Sequence, residues 1–186
     1  MRQDESDIID NIISGKTEEF SYFLDKYGQS VYTLIVRIVC SECDAEELTQ
    51  DTFMKAFENL SKFGGKSSFS TWIYRIAYNT AISFMRKRNS ENNEVNVFDD
   101  NTWNFISDTE IDEAMNDDRD DQVEKLQIAL SKLPPDERAL VTLFYEEERT
   151  IQEIGQILNI SESNIKVKLH RIRKKLYIFM QKEELE

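Results

Sequence analysis

At 186 residues the chain is long enough for one domain or two small ones, and 40% hydrophobic with 32% charged residues fits a soluble globular protein, not a fibrous or disordered one. Five Gly and two Pro are too few for the turns of an all-β fold, so an all-α fold is expected. No apolar run approaches the ~18 residues that would mark a membrane span, the polar start Met1-Arg-Gln-Asp-Glu5 does not read as a signal peptide, and a cytoplasmic protein without membrane contact of its own is expected. The net charge of −13 opposes nucleic-acid binding at first sight, but it is unevenly placed. Residues 63–90 carry five basic and no acidic groups, and residues 161–182 carry seven basic and one acidic. Between them, residues 91–124 carry thirteen acidic and one basic. A DNA surface responds to the local field more than to the sum.

Residues 1–62 read as three helices. Ile8, Ile9, Ile12 and Ile13 make a short amphipathic helix ending near Ser14-Gly15. Phe20, Phe23, Leu24, Tyr27, Val31, Leu34, Ile35 and Ile38 recur at helical spacing, giving a long helix over 17–40. Asp44 with Glu47 three residues later predicts a capped start for the third, with Leu48, Phe53, Phe57 and Leu60 on its core face. Glu46, Glu47, Gln50 and Asp51 fall on the opposite face, which by itself reads most simply as a solvated one. Cys40-Ser-Glu-Cys43 has redox or metal-ligand spacing, but the only His is His170 and no βαβ context surrounds it. No metal or cofactor is expected, and a thiol switch is kept as a minor alternative.

In the first basic island, Gly65-Lys66-Ser67 resembles the end of a phosphate loop, but Leu60 stands where the first Gly of that loop is required. A helix follows with Trp72, Ile73, Ile76, Ala77, Ala81 and Phe84 near its core face. Arg75, Asn79, Arg86, Lys87 and Arg88 are its polar groups. A Ser-rich loop with aromatics, bases and no acids suits single-stranded DNA, although most of the aromatics are expected in the core.

Residues 91–121 are Asn- and Asp-rich and read as an acidic, flexible linker in which Trp103, Phe105 and Ile106 are apolar exceptions able to dock locally. Helices resume near 122 and break at Leu133-Pro-Pro135. A further helix is expected from Pro135 to Glu148. Thr150 and Glu153 form a capping box for a helix carrying Ile151, Ile154, Ile157 and Leu158. Asn159-Ile160-Ser161 breaks it, and Ser161 can cap the next. There Ile165, Leu169, Ile172 and Leu176 form one stripe, among Lys166, Lys168, His170, Arg171, Arg173, Lys174 and Lys175. Two short helices, a tight turn and a basic second helix describe a helix-turn-helix whose second helix enters the DNA major groove.

These stretches together resemble the extracytoplasmic-function (ECF, group IV) sigma factors of the sigma-70 family over nearly the whole chain. Asp44-Ala-Glu-Glu-Leu-Thr-Gln-Asp-Thr-Phe-Met-Lys-Ala-Phe57 is similar to region 2.2. Phe69-Ser-Thr-Trp-Ile-Tyr-Arg-Ile-Ala-Tyr-Asn79 is similar to regions 2.3 and 2.4. Leu133-Pro-Pro-Asp-Glu-Arg138 with the helix-turn-helix is similar to region 4. The resemblance implies two small helical domains, region 2 over 1–90 and region 4 over 122–182, joined by the acidic linker 91–121. It also implies a non-enzymatic transcription initiation factor with no catalytic residues. Glu47, Gln50 and Asp51 match positions that grip the β′ clamp helices of core RNA polymerase, and the β flap is the other polymerase contact. Lys66, Ser67, Ser68 and Ser70 lie in the loop matching the segment that captures a flipped minus-ten base. Arg75, Asn79, Arg86, Lys87 and Arg88 complete the expected minus-ten set. Lys166, Val167, His170 and Arg171 match positions that read the minus-thirty-five element, with Lys168, Arg173 and Lys174 on phosphates. The linker resembles one that threads the RNA exit path. Promoter DNA and an anti-sigma factor are the other implied partners. Val167 departs from the small polar residue of many members, and Tyr78 from a polar or basic one. The alternative is a free-standing helix-turn-helix regulator that never enters polymerase.

Overall fold

The computed structural model describes residues 4–92 and 120–183, and every element in them is helical. Four helices form the first bundle: α1 (Glu5–Ile13), α2 (Ser21–Val39), α3 (Glu42–Glu58) and α4 (Phe69–Asn92). Short 3₁₀ turns at Thr17–Phe20 and Leu60–Lys62 join them, so the long helix expected from 17 starts instead at Ser21. Phe23, Val31, Leu34, Ile35 and Ile38 of α2 are fully enclosed by Ala45, Phe53 and Ala56 of α3 and by Phe69, Ile73, Tyr74, Ala77 and Ala81 of α4. Small alanines let α3 and α4 approach α2, while Phe23 stacks on Phe69 at 3.9 Å between ring centres. Glu5 anchors α1 by accepting bonds of 2.6 Å from both Lys26 Nζ and Tyr27 Oη. Burial and that carboxylate push the Tyr27 phenol up to about 12.

One cap departs from the expected one. α3 starts at Glu42, capped by Ser41, whose hydroxyl accepts from Asp44 N at 3.4 Å; Asp44 thus lies inside the helix. The preceding Cys40 takes φ 55° and closes α2 through its amide to Val36 O. A left-handed residue there turns the chain sharply, leaving Ser41 extended in the cap geometry. Both cysteines are free and exposed. Phe57, expected in the core, is 40% exposed at the bundle edge, where its ring meets Phe20 edge-on.

The second bundle comprises α5 (Asp120–Ser131), α6 (Pro135–Val141), α7 (Ile151–Leu158) and α8 (Glu162–Glu183). Pro134 is extended and Pro135 opens α6, as the pyrrolidine constraint requires. The continuous helix expected to Glu148 does not form: after Val141 the backbone widens into a π-helical turn, Thr142–Glu146, closed by Glu147 N to Thr142 O at 2.9 Å. The capping box of α7 is complete, with Thr150 Oγ1 accepting from Glu153 N and Glu153 accepting from Thr150 N. Ile154, Ile157, Ile165, Leu169, Ile172 and Leu176 bury the seam of the hairpin. The linker expected at 91–121, with Trp103, Phe105 and Ile106, falls on residues outside those described, apart from its ends in α4 and α5.

The two bundles touch. α6 lies against α2, and α7 against α4. Arg138 of α6 donates to Ile38 O across the boundary and to Leu133 O within its own bundle. The π turn brings Glu146 to Arg37 Nε at 3.2 Å and lets Tyr74 Oη donate to Glu147.

Candidate polymerase and nucleic-acid interfaces

Three surfaces emerge. The first is the outer face of α3. Glu47, Gln50 and Asp51 are all exposed, and offsets of three and four residues put them on one face. The core stripe of Ala45, Leu48, Thr52, Phe53 and Ala56 points the other way. Asp51 accepts from Lys55 Nζ at 3.2 Å, an exposed pair one turn apart. No core contact needs the acidic face.

The second surface is built from the 64–70 loop and α4. Gly65 turns the loop at φ 64°, a conformation that favours glycine. Ser68 ends it as the helix cap: its hydroxyl accepts from Thr71 N at 3.1 Å and its carbonyl from Trp72 N. Lys66 is exposed and Ser67 half-buried, but Ser70 is buried, and its hydroxyl has no partner among the described residues. Arg75, Asn79, Arg86 and Lys87 stand exposed along α4. Arg88 is turned away from them: it reaches Asp44 at 3.5 Å and Val39 O at 3.4 Å, against the ring of Phe84. Ser68, Ser70 and Arg88 are therefore engaged in or buried by the fold, leaving Lys66, Ser67, Arg75, Asn79, Arg86 and Lys87 as the accessible part of the expected set.

Asn79 opens onto a cleft of about 510 Å³ lined by Lys55, Asn59, Lys62, Trp72, Ile76, Thr80 and Ser83. Cations, amides and one indole on an open wall suit a sugar-phosphate strand with stacked bases. Lys55 and Lys62 were not among the sequence candidates. They belong to α3 and the following 3₁₀ turn, and only the packing of α3 on α4 brings them beside Asn79. Their signal in sequence was weak, because Lys55 follows the acidic run Glu46–Asp51 and Lys62 stands just before the basic island.

The third surface is the helix-turn-helix. Asn159 holds the turn at φ 57°, and Ser161 Oγ caps α8 by accepting from Asn164 N at 3.3 Å. Gly155 is the tight point of the hairpin: a Cβ there would stand 3.0 Å from Ile160 O. Lys166, Val167, His170 and Arg171 are exposed on the second and third turns of α8, on the side opposite the buried stripe. Arg173 and Lys174 are half-buried. Lys168 Nζ lies 3.2 Å from Asp136 of α6, and Lys175, 8% exposed, is paired with Glu137. These two lysines fasten α8 to α6. The remaining face of α8, with Lys166, His170 and Arg171 outside the buried seam, is exposed and basic.

Among the described residues no cluster of His, Cys, Asp and Glu could hold a metal, and no helix is long and apolar enough to cross a membrane. The model of Sigma-70 region 2 matches residues 23–91, and that of Sigma-70, region 4 matches residues 124–176. The chain is 30% identical over 172 residues to the ECF RNA polymerase sigma factor SigW of Bacillus subtilis, covering 90% of this chain and 92% of that relative. It is 24% identical to the ECF RNA polymerase sigma-E factor of Haemophilus influenzae, covering 89% of each. Its fold is similar to CnrH solved with the cytosolic domain of CnrY, with a TM-score of 0.64, 19% identity and coverage of 94% and 95%. It is also similar to RpoE solved with the anti-sigma factor NepR from Bartonella quintana, with a TM-score of 0.65, 22% identity and coverage of 88% and 98%. The two bundles thus have the order and extent of sigma regions 2 and 4, and the chain belongs to the extracytoplasmic-function sigma factors of the sigma-70 family.

Proposed function

We propose that this transcription initiation factor carries core RNA polymerase to a two-part promoter and opens the DNA there, each of its three surfaces serving one task. The exposed face of Glu47, Gln50 and Asp51 grips a basic surface of the polymerase β′ subunit, while region 4 meets the β flap. The 64–70 loop and the Asn79 cleft hold the melted minus-ten strand. Lys66 and Ser67 offer donors to an extruded base, whose unstacking costs a few kcal/mol unless its pocket compensates. The second and third turns of α8 read the minus-thirty-five duplex through Lys166, Val167, His170 and Arg171, with Arg173 and Lys174 near phosphates. Melting follows from trapping unstacked bases, with no bond hydrolysed. An anti-sigma factor is the expected regulatory partner, by likeness to RpoE solved with the anti-sigma factor NepR.

The observation that carries this reading over a free-standing regulator is the acidic face of α3, exposed and unused by the core. Asp51→Arg tests it. Loss of the exposed pair with Lys55 changes stability by under about 0.5 kcal/mol. Against a basic partner the new charge costs several kcal/mol. The variant should keep its melting temperature and fail to co-purify with core polymerase. A folded variant that still binds core and initiates normally would rule out this role for the face.

A further inference from the structure

A small cavity at the corner between α2 and α3 takes no part in the three surfaces. It encloses about 300 Å³, at the small end of ligand pockets, which run from about 300 to 1,000 Å³. Cys40 lines it together with Arg37, Glu42, Gln127, Arg138 and Glu146. Two guanidiniums, two carboxylates and an amide thus surround one thiol, and their charges balance. Such a lining suits a small zwitterion, whose carboxylate meets the cations and whose ammonium meets the carboxylates. Arg37 and Glu146 pair at 3.2 Å on the rim, with 50% and 32% of their side chains exposed, and so exposed a pair yields readily to a ligand. Arg138 is less exposed, and its Nε is a buried donor without a partner among the described residues.

Cys40 is placed to react there. Its exposed thiol donates weakly to Arg37 O at 3.7 Å. The Arg138 guanidinium is lowered by burial and raised again by the Cys40 sulfur, so the two lie within electrostatic reach. Reactive thiols occupy accessible, electropositive surroundings of this kind. Cys43 is the contrast. It is also free and exposed, at the second position of α3, but it does not line the cavity. Nor can the two thiols join each other in this conformation. Ser41 is extended between them at φ −150° and ψ 120°, which by standard backbone dimensions holds their Cα atoms roughly 8 Å apart. A disulfide needs less than about 7 Å.

We propose that Cys40 is a thiolation site for a small zwitterionic disulfide of amino-acid type, seated through its carboxylates by Arg37 and Arg138 and through its ammonium by Glu42 and Glu146. The Cys40 thiolate attacks one sulfur of the disulfide RSSR. The old S–S bond breaks, a bond from Cys40 Sγ to SR forms, and the other half leaves as RS⁻, which takes up the proton that Cys40 released. Cys40 is oxidised and the departing thiol is reduced, with no further oxidant required. Because Cys43 is out of reach, the mixed disulfide is the end state, and a thiol from solution reverses it. The site is independent of the polymerase and DNA assignments, since none of its residues belongs to those surfaces.

The test treats the reduced full chain with oxidised glutathione, whose halves carry an ammonium and carboxylates, or with cystamine, whose halves carry an ammonium only. Peptide mass spectrometry at early times reads the adduct on Cys40 against the adduct on Cys43 in the same molecule. With oxidised glutathione Cys40 should be labelled about tenfold faster, the effect of one modest binding contribution. Its rate should saturate with concentration, while the rate at Cys43 rises in proportion. With cystamine the excess at Cys40 should vanish. Arg37→Gln should lower the glutathione rate at Cys40, and Arg37→Lys should keep most of it. Glu42→Gln should lower it too, although loss of a negative charge would by itself raise attack on an anionic disulfide. Thermal unfolding confirms that each variant is folded, and the wild-type comparison of the two disulfides needs no variant. Equal, unsaturated labelling of both cysteines by oxidised glutathione overturns the site, as does a faster rate at Cys40 in Glu42→Gln. A main product lighter by two hydrogens, the Cys40–Cys43 disulfide, overturns the mixed disulfide as the end state.

Discussion

Replacing glycine by alanine at two helical positions should change stability in opposite directions. Inside a helix the exchange ordinarily stabilises by about 0.5–1 kcal/mol, since glycine loses more backbone entropy on folding. Gly28, midway along α2, has nothing within 4 Å of the place a Cβ would take, so Gly28→Ala should realise that gain. At Gly155 the new Cβ would lie 3.0 Å from Ile160 O and 3.6 Å from Ile165 Cδ1. The near atom is backbone, and Ile160 is tied to the same residue by its own amide, which donates to Gly155 O at 3.2 Å. It can yield only by opening the turn between α7 and α8. Overpacking of this kind costs about 1–3 kcal/mol, which outweighs the propensity gain and leaves a net loss of about 1 kcal/mol. For a chain of this size each kcal/mol moves the melting temperature by about 2–4 °C. Calorimetry should show Gly28→Ala melting higher than wild type and Gly155→Ala lower. Equal gains at both positions would refute the idea that the close approach to Ile160 fixes the hairpin angle.

Arg171→Ala should cost about 1–3 kcal/mol at one promoter position, read by competition with single-base variants, whereas Lys174→Ala should weaken all sequences alike. Equal, sequence-independent losses would count against base reading by Arg171. The alkaline limb of stability should respond to the two buried phenols. Tyr27 and Tyr74 have folded-state values near 12 against about 10 when unfolded, so their contribution is full below pH 10 and is lost as pH rises towards 12. Tyr27→Phe should flatten part of that decline in a denaturant titration at pH 9 to 12, and an unchanged slope would show that the phenol is not coupled to folding.

Much of the fold was legible because its signals were local. The Thr150–Glu153 box, the Leu133-Pro-Pro135 break and the four-three-four spacing from Ile165 to Leu176 each depend on neighbours within a few residues. Where the reading erred, a nearer competitor won. Ser41 took the cap from Asp44 because Cys40 turns left-handed just before it, and backbone handedness has no composition signal at a cysteine. The π turn at Thr142–Glu146 was invisible for a similar reason. Its apolar and acidic residues fit an ordinary helix, and its partners Arg37 and Tyr74 lie over seventy residues away. In the candidate sites, exposure along α4 and α8 followed the periodicity. The engagement of Ser68, Arg88 and Lys168 did not, since a charge or hydroxyl in a basic stretch looks the same whether it faces solvent or closes a cap or ion pair. Lys55 and Lys62 were missed for the converse reason: they join Asn79 only through packing between helices.

The lysines that fasten α8 to α6 bear on how salt would govern promoter binding. A protein that neutralises phosphates releases condensed counterions, and log K falls against log salt with a slope of about −0.9 per phosphate. The sequence offers seven Lys and Arg over 161–182, but Lys168 and Lys175 already face Asp136 and Glu137. Two cations held by carboxylates displace no ions from DNA, so at most five remain to do so. Duplex binding through this helix should therefore show a slope no steeper than about −4.5, and the acidic residues of α6 act as a brake on non-specific attachment. A factor that must leave mismatched DNA quickly gains from that restraint, since off-target residence lengthens with every ion released.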